Sequence, residues 1–486
     1  MLEFLYNVMV FLYENLVYIN MVIAVGIIFL QKKDPRSIWG WLIVLYVFPP
    51  IGFLFYILLG NDLRRKKIFR TKQIREQYRD IIKEQEKRLS NKEIQRKNPE
   101  LIDFDDLIYY NLKSTGAILT EDNTVTHIID GRDKFEILLR DIRDAKKYIH
   151  MQYYIIRDDI LFNRIVEELR CKVKEGVEVR ILVDPLGSRF MSKKRRKALE
   201  KVGIKVEVFF RATLGRMHLR FNYRNHRKIV IIDGEIAYVG GFNIGREYIS
   251  MVKKYGYWRD THMRIQGTAV LDLGIRFILD WNYASGENLF DKMNYIPLPS
   301  NVSGNTSLQV ISSGPDSELK NIRNNYLKLI SKAKDTIYIQ TPYFIPDEET
   351  QSALIIALYS GVKVNIMVPC MPDHPFVYWA TYSYVGELIM HGANCYIYEN
   401  GFLHCKGMIV DDSVYSYGTA NFDIRSFSIN FEVNIINYSH QDAKEMSAIF
   451  RDDLQYCKKI TKELYVSRNN WIMIKEKFSR LLSPVL

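Results

Sequence analysis

The chain has 486 residues, 48% of them hydrophobic and 26% charged, with a mean hydropathy close to zero. That excludes a single small core, a mainly disordered or collagenous polymer and a polytopic membrane bundle, and it sets two or three domains as the expectation. Lys and Arg number 68 against 56 Asp and Glu, a net charge of +12, so an anionic partner is expected: nucleic acid, a lipid headgroup or a membrane surface. Five scattered cysteines (Cys171, Cys370, Cys395, Cys405, Cys457) include no Cys-x-x-Cys pair, which argues against a disulfide scaffold or a structural zinc.

Two apolar runs come first. Residues 16–30 are uncharged over 15 positions and residues 38–59 over 22. In a helix, 22 residues cover the roughly 30 Å hydrocarbon core of a bilayer; 15 do so only with both ends in the interfaces. Residues 31–37 between them are too few for a folded loop. A cleavable signal peptide accounts for one such run but not for two in tandem, and no small-residue cleavage site comes after them. The expectation for residues 1–60 is a pair of transmembrane helices holding the chain in a cell membrane, the second kinked at Pro49-Pro50. A buried helical hairpin in a soluble core is the alternative.

Residues 61–104 read as a basic juxtamembrane linker. Within 61–100 there are 14 Lys and Arg against 7 Asp and Glu, more than half of the chain's excess. Arg64, Arg65, Lys66 and Lys67 fall where basic side chains meet anionic lipid. By the positive-inside rule they put the domain after them on the cytoplasmic side, while Lys32, Lys33 and Arg36 pull the opposite way. For 72–97 a solvated charged helix and a lipid-binding one both fit.

The remainder contains itself twice. Residues 145–154 are echoed at 333–342, 176–183 at 361–368, and 226–233 at 404–411, with offsets of 188, 185 and 178. Loops of unequal length between kept elements explain the shrinking offset. Helical periodicity over 135–147 and 163–174 alternates with β-rich runs at 148–156 and 177–183, so each half reads as an α/β sandwich. Residues 105–300 and 301–486 are the expected halves, parted at the polar stretch 300–307.

The third echo carries the chemistry. Taken as a strand, each copy points His226 and Lys228, or His404 and Lys406, to one face, and the apolar residues next in the chain bury it. Asp233 and Asp411 close the motif; an Asp at a strand-to-turn junction also serves as a cap, so both roles are open. Gly240, Gly241 and Asn243 come next in one half, Gly418, Thr419 and Asn421 in the other, and then one acid each, Asp260 and Glu432. Lys and Asn can bind phosphoryl oxygens, small residues admit backbone N–H groups, and an imidazole held by a carboxylate acts as nucleophile or as general acid and base. Facing half-sites put one His on each side of a phosphorus. The acids come singly, each near a His, which is not a metal cage.

The pattern His-x-Lys-x4-Asp-x6-Gly-Gly/Thr-x-Asn, present twice, resembles the phospholipase D superfamily. With the tandem apolar runs, residues 50–60 and the ending 480–486, the chain is most similar to the bacterial cardiolipin synthases, over essentially its whole length. The resemblance implies two tandem phospholipase D-like α/β halves with pseudo-twofold symmetry behind an N-terminal transmembrane hairpin. It implies a phosphatidyltransferase that moves a phosphatidyl group reversibly between two phosphatidylglycerol molecules, giving cardiolipin and glycerol through a phosphohistidine, without metal or cofactor. His226 is implied as nucleophile and His404 as acid and base, although pseudo-symmetry leaves the reverse open. Lys228, Lys406, Asn243 and Asn421 would bind phosphoryl oxygens, Asp233 and Asp411 complete the catalytic motifs, and Asp260 and Glu432 orient the rings. Phosphatidylglycerol as donor and acceptor and an anionic bilayer are the implied partners, and nucleic acid is not.

Other features fit a lipid substrate without requiring one. Residues 374–384 form an aromatic helix that would line an acyl entrance or a core. Arg189, Lys193, Lys194, Arg195, Arg196, Lys197, Arg211, Arg216, Arg220 and Arg224 form a basic approach or a solvated face. Residues 471–482 have helical apolar spacing and face either core or membrane. The rival readings are a hydrolytic phospholipase D, a nuclease of the same superfamily, which gains little from membrane anchoring, and an idle membrane scaffold, which the two intact His-Lys pairs argue against.

Overall fold

The computed structural model describes residues 79–91, 99–189, 191–210, 222–291 and 304–483, positions 52 and 56, and, within 3–49, all but 4, 5, 8, 9, 12, 13 and 31–34. The chain forms two compact units, residues 1–67 with 210–223, and 68–209 with 224–486.

In the first unit the apolar runs become α1 (Leu16–Leu30) and α2 (Pro35–Val47). Asn20 on α1 is buried, and its amide donates to the carbonyls of Leu45 (3.1 Å) and Pro49 (3.3 Å). At 15 and 13 residues the helices are about 20 Å long, and among the described residues no helix is long and apolar enough to cross a membrane. Beyond Pro49 the second run lies outside the described residues, apart from positions 52 and 56. So do Lys32, Lys33, Arg64–Lys67, Arg211, Arg216, Arg220 and the end of the chain beyond 483.

The second unit opens with α3 (Arg79–Ser90) and α4 (Asp105–Thr115). The first repeat then runs β1 (Thr120–Ile128), α5 (Gly131–Asp144), β2 (Tyr148–Tyr153), α6 (Ile160–Lys174), β3 (Glu178–Val183), α7 (Lys193–Lys201) and β4 (Ile204–Val208). It continues through β5 (Arg224–Asn225), β6 (Ile229–Ile232), β7 (Ile236–Gly240), β8 (Trp258–Arg259), β9 (His262–Gln266) and α8 (Ala269–Ser285). The second repeat is β10 (Thr306–Ser313), α9 (Asn321–Lys332), β11 (Thr336–Gln340), β12 (Phe344–Ile345), α10 (Glu348–Tyr359), β13 (Lys363–Pro369), α11 (Pro375–Met390) and β14 (Asn394–Tyr398). After these come β15 (Phe402–Leu403), β16 (Gly407–Val410), β17 (Val414–Gly418), β18 (Phe422–Asp423), α12 (Ile424–Ser428), β19 (Asn430–Asn437) and α13 (His440–Asp453). Strand β20 (Cys457–Ile460) and helices α14 (Lys462–Val466) and α15 (Asn470–Leu481) end the described chain.

Local chemistry starts the helices: Asp130 caps α5 by accepting from Arg132 and Asp133 N–H, and Asp159 caps α6 from Leu161 and Phe162. Helical crossovers make β2, β3 and β4 parallel, and likewise β11, β13 and β14, while the hairpins β6–β7 and β16–β17 are antiparallel. Every residue of β2, β6, β16, β17 and β19 is buried, as in a sheet covered on both faces. Strands β1 and β10 pair antiparallel and join the halves into one sheet, ordered β20-β14-β13-β11-β16-β17-β19-β10-β1-β9-β7-β6-β2-β3-β4. Equivalent strands stand at equivalent steps from that seam, the arrangement of a pseudo-twofold axis.

One packing differs from the expected partition at residue 105. Helix α4 joins the core of the second repeat, where Phe104, Leu107 and Ile108 pack in one cluster with Ile322, Tyr326 and Leu329 of α9. Polar ties match: Asn111 donates to Gln309 (3.0 Å) and Asn324 to the Tyr110 hydroxyl (2.8 Å). Gln85 of α3 reads the backbone of Leu119 in both directions, so that stretch of the basic linker is docked and not simply solvated. The polar boundary near 300 falls outside the described residues.

Candidate active site

Neither His-x-Lys triplet lies in a strand, contrary to the expectation from sequence. Residues 226–228 and 404–406 are extended segments between β5 and β6, and between β15 and β16. They leave the ladder because the short strand before each one pairs with the other half. Strand β5 pairs with β19 of the second repeat, and β15 with β8 of the first. The His226 N–H donates to Phe431 O (2.9 Å) and the His404 N–H to Arg259 O (2.7 Å).

This crossing seats each imidazole beside the acid of the opposite half. His226 Nδ1 lies 2.9 and 3.0 Å from the Glu432 carboxylate oxygens, and His404 Nδ1 lies 2.6 Å from Asp260 Oδ2. Both acids are fully buried and both rings nearly so, at 9% exposure. Thr419 Oγ1 (2.6 Å) and Asn430 Nδ2 (3.2 Å) donate to Glu432, and the Thr261 N–H donates to Asp260 (2.8 Å). Rings close the outer sides, Tyr154 at 4.9 Å from His226 and Trp258 at 5.1 Å from His404.

Burial dominates the electrostatics and pushes both imidazoles down to about 4; Glu432 pulls His226 back up and Lys228 opposes it, whereas at His404 Lys406 pushes further down against Asp260. With Nδ1–H given to a carboxylate, each neutral ring carries its lone pair on Nε2. Burial raises the two acids, but Lys406 and His404 bring Asp260 below the ordinary range, and His226 and Lys228 do the same for Glu432. Lys228 donates to its own triplet's His226 O (2.7 Å), and Lys406 donates to His404 O with its Nζ 2.8 Å from His404 Nδ1. Burial lowers both lysines; for Lys406 the Asp260 carboxylate resists most.

Two buried arginines, unseen in the sequence, tie these parts to the framework. Arg227 binds Asp280 of α8 through Nη1 (2.6 and 2.8 Å), Ser312 of β10 (2.8 Å) and Glu432 O (3.2 Å). Arg259 binds Asp453 of α13 (3.0 and 3.1 Å) and Asp260 O (2.7 Å). Gln152 donates to Asp280 (2.6 Å) and Gln340 to Asp453 (2.9 Å), so the repeated glutamine of the first echo was a visible signal for both.

The small residues serve the acids. A Cβ on Gly241 would stand 1.9 Å from Asp260 Oδ1, and one on Gly418 2.3 Å from Val433 O, so they clear room for strands and carboxylate. Asn243 accepts from Ile155 N–H (3.0 Å) and donates to Tyr248 OH (3.3 Å), which leaves one amide proton for a phosphoryl oxygen. Asn421 is buried, with Oδ1 unbonded.

Asp233 and Asp411 take the capping role that the sequence left open beside a catalytic one. Asp233 accepts from the N–H groups of Lys146, Lys147 and Tyr148, and Asp411 from those of Lys334, Asp335 and Thr336. Both sit at the far end of a four-residue strand, about 16 Å from the lysine of their triplet, and both adopt left-handed backbone (φ 55° and 52°). Cys405 points away from the rings toward Arg259 and Thr261, and burial pushes its thiol up to about 12. Among the described residues no group of three or more His, Cys, Asp and Glu could hold a metal ion.

The fold and the doubled His-Lys site, with one catalytic centre assembled across two halves, define a phospholipase D-type phosphodiester enzyme. A family model described as "Cardiolipin synthase, PLD-like domain" matches residues 138–255 and 326–454, and one described as "Phospholipase_D-nuclease N-terminal" matches residues 19–61. The chain is 50% identical to the major cardiolipin synthase of Bacillus subtilis, over 96% of this chain and 97% of that one. It is 48% identical to the cardiolipin synthase of Oceanobacillus iheyensis, with the same coverage. The crystal structure of phosphatidylserine synthase from Haemophilus influenzae superposes with a TM-score of 0.59 at 15% identity, covering 74% of this chain and 95% of that one, which supports the fold. The chain belongs to the cardiolipin synthase family of the phospholipase D superfamily, and its activity is phosphatidyl transfer.

Proposed function

We propose that the enzyme takes one phosphatidylglycerol as donor and a second as acceptor, working at an anionic cell membrane to which residues 1–60 anchor it. The observation that carries the mechanism is the crossed pairing of His226 with Glu432 and of His404 with Asp260. His226 Nε2 attacks the phosphorus, the bond to the glycerol headgroup breaks, and His404 gives the departing oxygen its proton. His404 then takes a proton from the headgroup hydroxyl of the second lipid, whose oxygen displaces His226 and restores the resting site. One phosphodiester replaces another, so the reaction is reversible. Lys228 and Lys406, each with donors left after bonding its own triplet's carbonyl, hold the phosphoryl oxygens, with Asn421 and the remaining proton of Asn243 at the wall.

Two features support His226 as nucleophile. A phosphorylated ring is cationic, and His226 has both oxygens of Glu432 within 3.0 Å, whereas His404 shares its Nδ1 surroundings with Lys406. His404, neutral in the empty site, gains proton affinity when a phosphodiester anion enters beside it. For the anchor, α1 and α2 expose Val17, Tyr18, Met21, Val22, Trp39, Ile43 and Tyr46, apolar side chains suited to lipid, and Arg64–Lys67 favour a cytoplasmic catalytic unit.

The test is full-length enzyme in phosphatidylglycerol vesicles with EDTA, following lipids and glycerol by mass spectrometry. Cardiolipin and glycerol in equal amounts are expected, lost in His226→Ala and His404→Ala. His404→Ala should also accumulate an acid-labile phosphatidyl label on His226. Phosphatidic acid as the main product would replace this reading with a hydrolase.

A further inference from the structure

The last helix is built with its polarity reversed. Successive residues of an α-helix turn by about 100°, so Trp471, Ile474, Phe478 and Leu481 fall within a sector of about 80° on α15. A helix on a soluble protein turns such a stripe inward. Here the four side chains are 69%, 56%, 55% and 79% exposed, and the inward face carries Glu476 and Ser479, both buried. The inner face is fixed by polar contacts. Arg468 holds Glu476 at 2.9 to 3.0 Å, Arg480 pairs with Glu387 of α11 and stacks on Tyr384 at 4.3 Å. The outward stripe continues to the exposed Phe376 at the start of α11, whose ring centroid lies 6.3 Å from that of Phe478, and Leu464 and Val466 of α14 are exposed as well.

We propose that this stripe is a second membrane contact, with α15 lying in the plane of an anionic lipid surface. The flanking charges favour lipid over another protein. Lys475, whose ammonium lies 5.1 Å from the centre of the Trp379 ring on α11, and Lys477 project about 80° to either side of the stripe's centre, positions from which their cationic ends can face lipid phosphates. A second copy on the same face would set these lysine rims against one another. The tryptophan at the leading end matches a side chain that favours the headgroup level. Held rigidly to α11, the contact fixes the tilt of the catalytic unit over the surface that holds its substrate. The inference rests on the reading that the enzyme works at a bilayer.

The test uses full-length enzyme in vesicles of phosphatidylcholine with phosphatidylglycerol, some carrying lipid brominated near the top of the acyl chain. An environment-sensitive probe is placed at Ile474→Cys or Phe478→Cys, and at Glu349→Cys on α10 as the water-facing control, in a Cys171→Ser background whose unsubstituted form gives the blank. Bromine quenching at 474 and 478 but not at 349 is expected. Equal quenching at all three positions would overturn the proposal. So would shielding of 474 and 478 from iodide without bromine quenching and rising with protein-to-lipid ratio, which marks a second copy. The double variant Trp471→Ser/Phe478→Ser should raise KM for vesicle phosphatidylglycerol roughly threefold or more while leaving turnover of detergent-dispersed lipid unchanged, and an unchanged KM would count against it. Absence of cardiolipin from the unsubstituted enzyme would refute the proposed reaction yet leave the quenching result standing.

Discussion

Glu432→Gln isolates what the crossed carboxylate contributes. The side chain is fully buried, keeps its shape in the variant, and retains partners for its amide in Thr419 and Asn430. A full cation on His226 3.0 Å from a full anion would be stabilised by roughly 5 kcal/mol at an effective dielectric of about 20. Only part of that charge has developed at the transition state, and the amide oxygen still accepts one bond, so the expected loss is about 3–4 kcal/mol, or roughly 10²- to 10³-fold in turnover. The pH profile supplies an independent sign. Burial lowers His226 to about 4 and Glu432 works against burial, so removing the charge lowers the ring further. The acid limb of kcat/KM, where attack is lost as His226 protonates, should therefore move to lower pH although the enzyme is slower. Single-turnover formation of the phosphatidyl-enzyme, measured from neutral pH down to the limit of stability, reads both effects. A variant within threefold of the parent, or one whose acid limb moves upward, would refute the electrostatic reasoning.

Arg227→Met takes the Nη1 partner from the buried Asp280 carboxylate, which keeps only the amides of Gln152 and Asn225 as hydrogen-bond donors, and should cost about 3 kcal/mol in denaturant unfolding, with Asp280→Leu added to it restoring part of the loss. Asp411→Ala removes the acceptor of three N–H groups and should lower stability by about 2 kcal/mol while turnover per folded molecule stays within about twofold; a catalytic collapse at unchanged stability would restore the motif Asp to the chemistry. Alkylation at about pH 8 should label exposed Cys171 and spare activity, since the Cys405 thiol, buried and pushed up to about 12, stays protonated. Because folding lowers His226 and His404 from 6.5 to about 4, the folded state binds fewer protons between these values. The stability they confer is complete above about pH 6.5 and is lost as pH falls toward 4, by up to about 3 kcal/mol for each ring. A melting temperature flat across that window would contradict the lowered values.

The repeat, the alternation of helices and strands, and the two triplets were legible because each is a local pattern that occurs twice. The partners of those triplets were not. Asp260 and Glu432 could be picked out as single acids after each motif, but their exchange between halves depends on β5 joining β19 and β15 joining β8, pairings of two residues that no periodicity announces. The same short pairings displace the triplets from the strands they were assigned to. Arg227 and Arg259 carry no repeat signal of their own: the position matching Arg227 is Cys405, and the one matching Arg259 is Phe431. Helix α4 is nearer the first half in sequence, yet its buried apolar residues share a cluster with those of α9 in the second.

That broken symmetry bears on how the site divides its labour. Both guanidiniums come from the first half, yet Arg227 reaches the backbone of Glu432 and Arg259 the backbone of Asp260, so each acid is braced by an arginine neighbouring a site residue. For His226 the brace, the carboxylate and the supporting Thr419 and Asn430 span both halves. For His404 the second half supplies the triplet and Asp453, which holds the brace, while the acid and the brace itself come from the first. Neither half carries a complete His–carboxylate pair, so a separated half would hold a buried histidine and lysine with no counter-ion and lose activity and part of its stability together. The β1–β10 seam is then a condition of the chemistry as well as of the fold, together with the short β5–β19 and β15–β8 pairings that also cross between the halves: loosening the Thr120↔Leu308 pairing should weaken both His–carboxylate bonds at once.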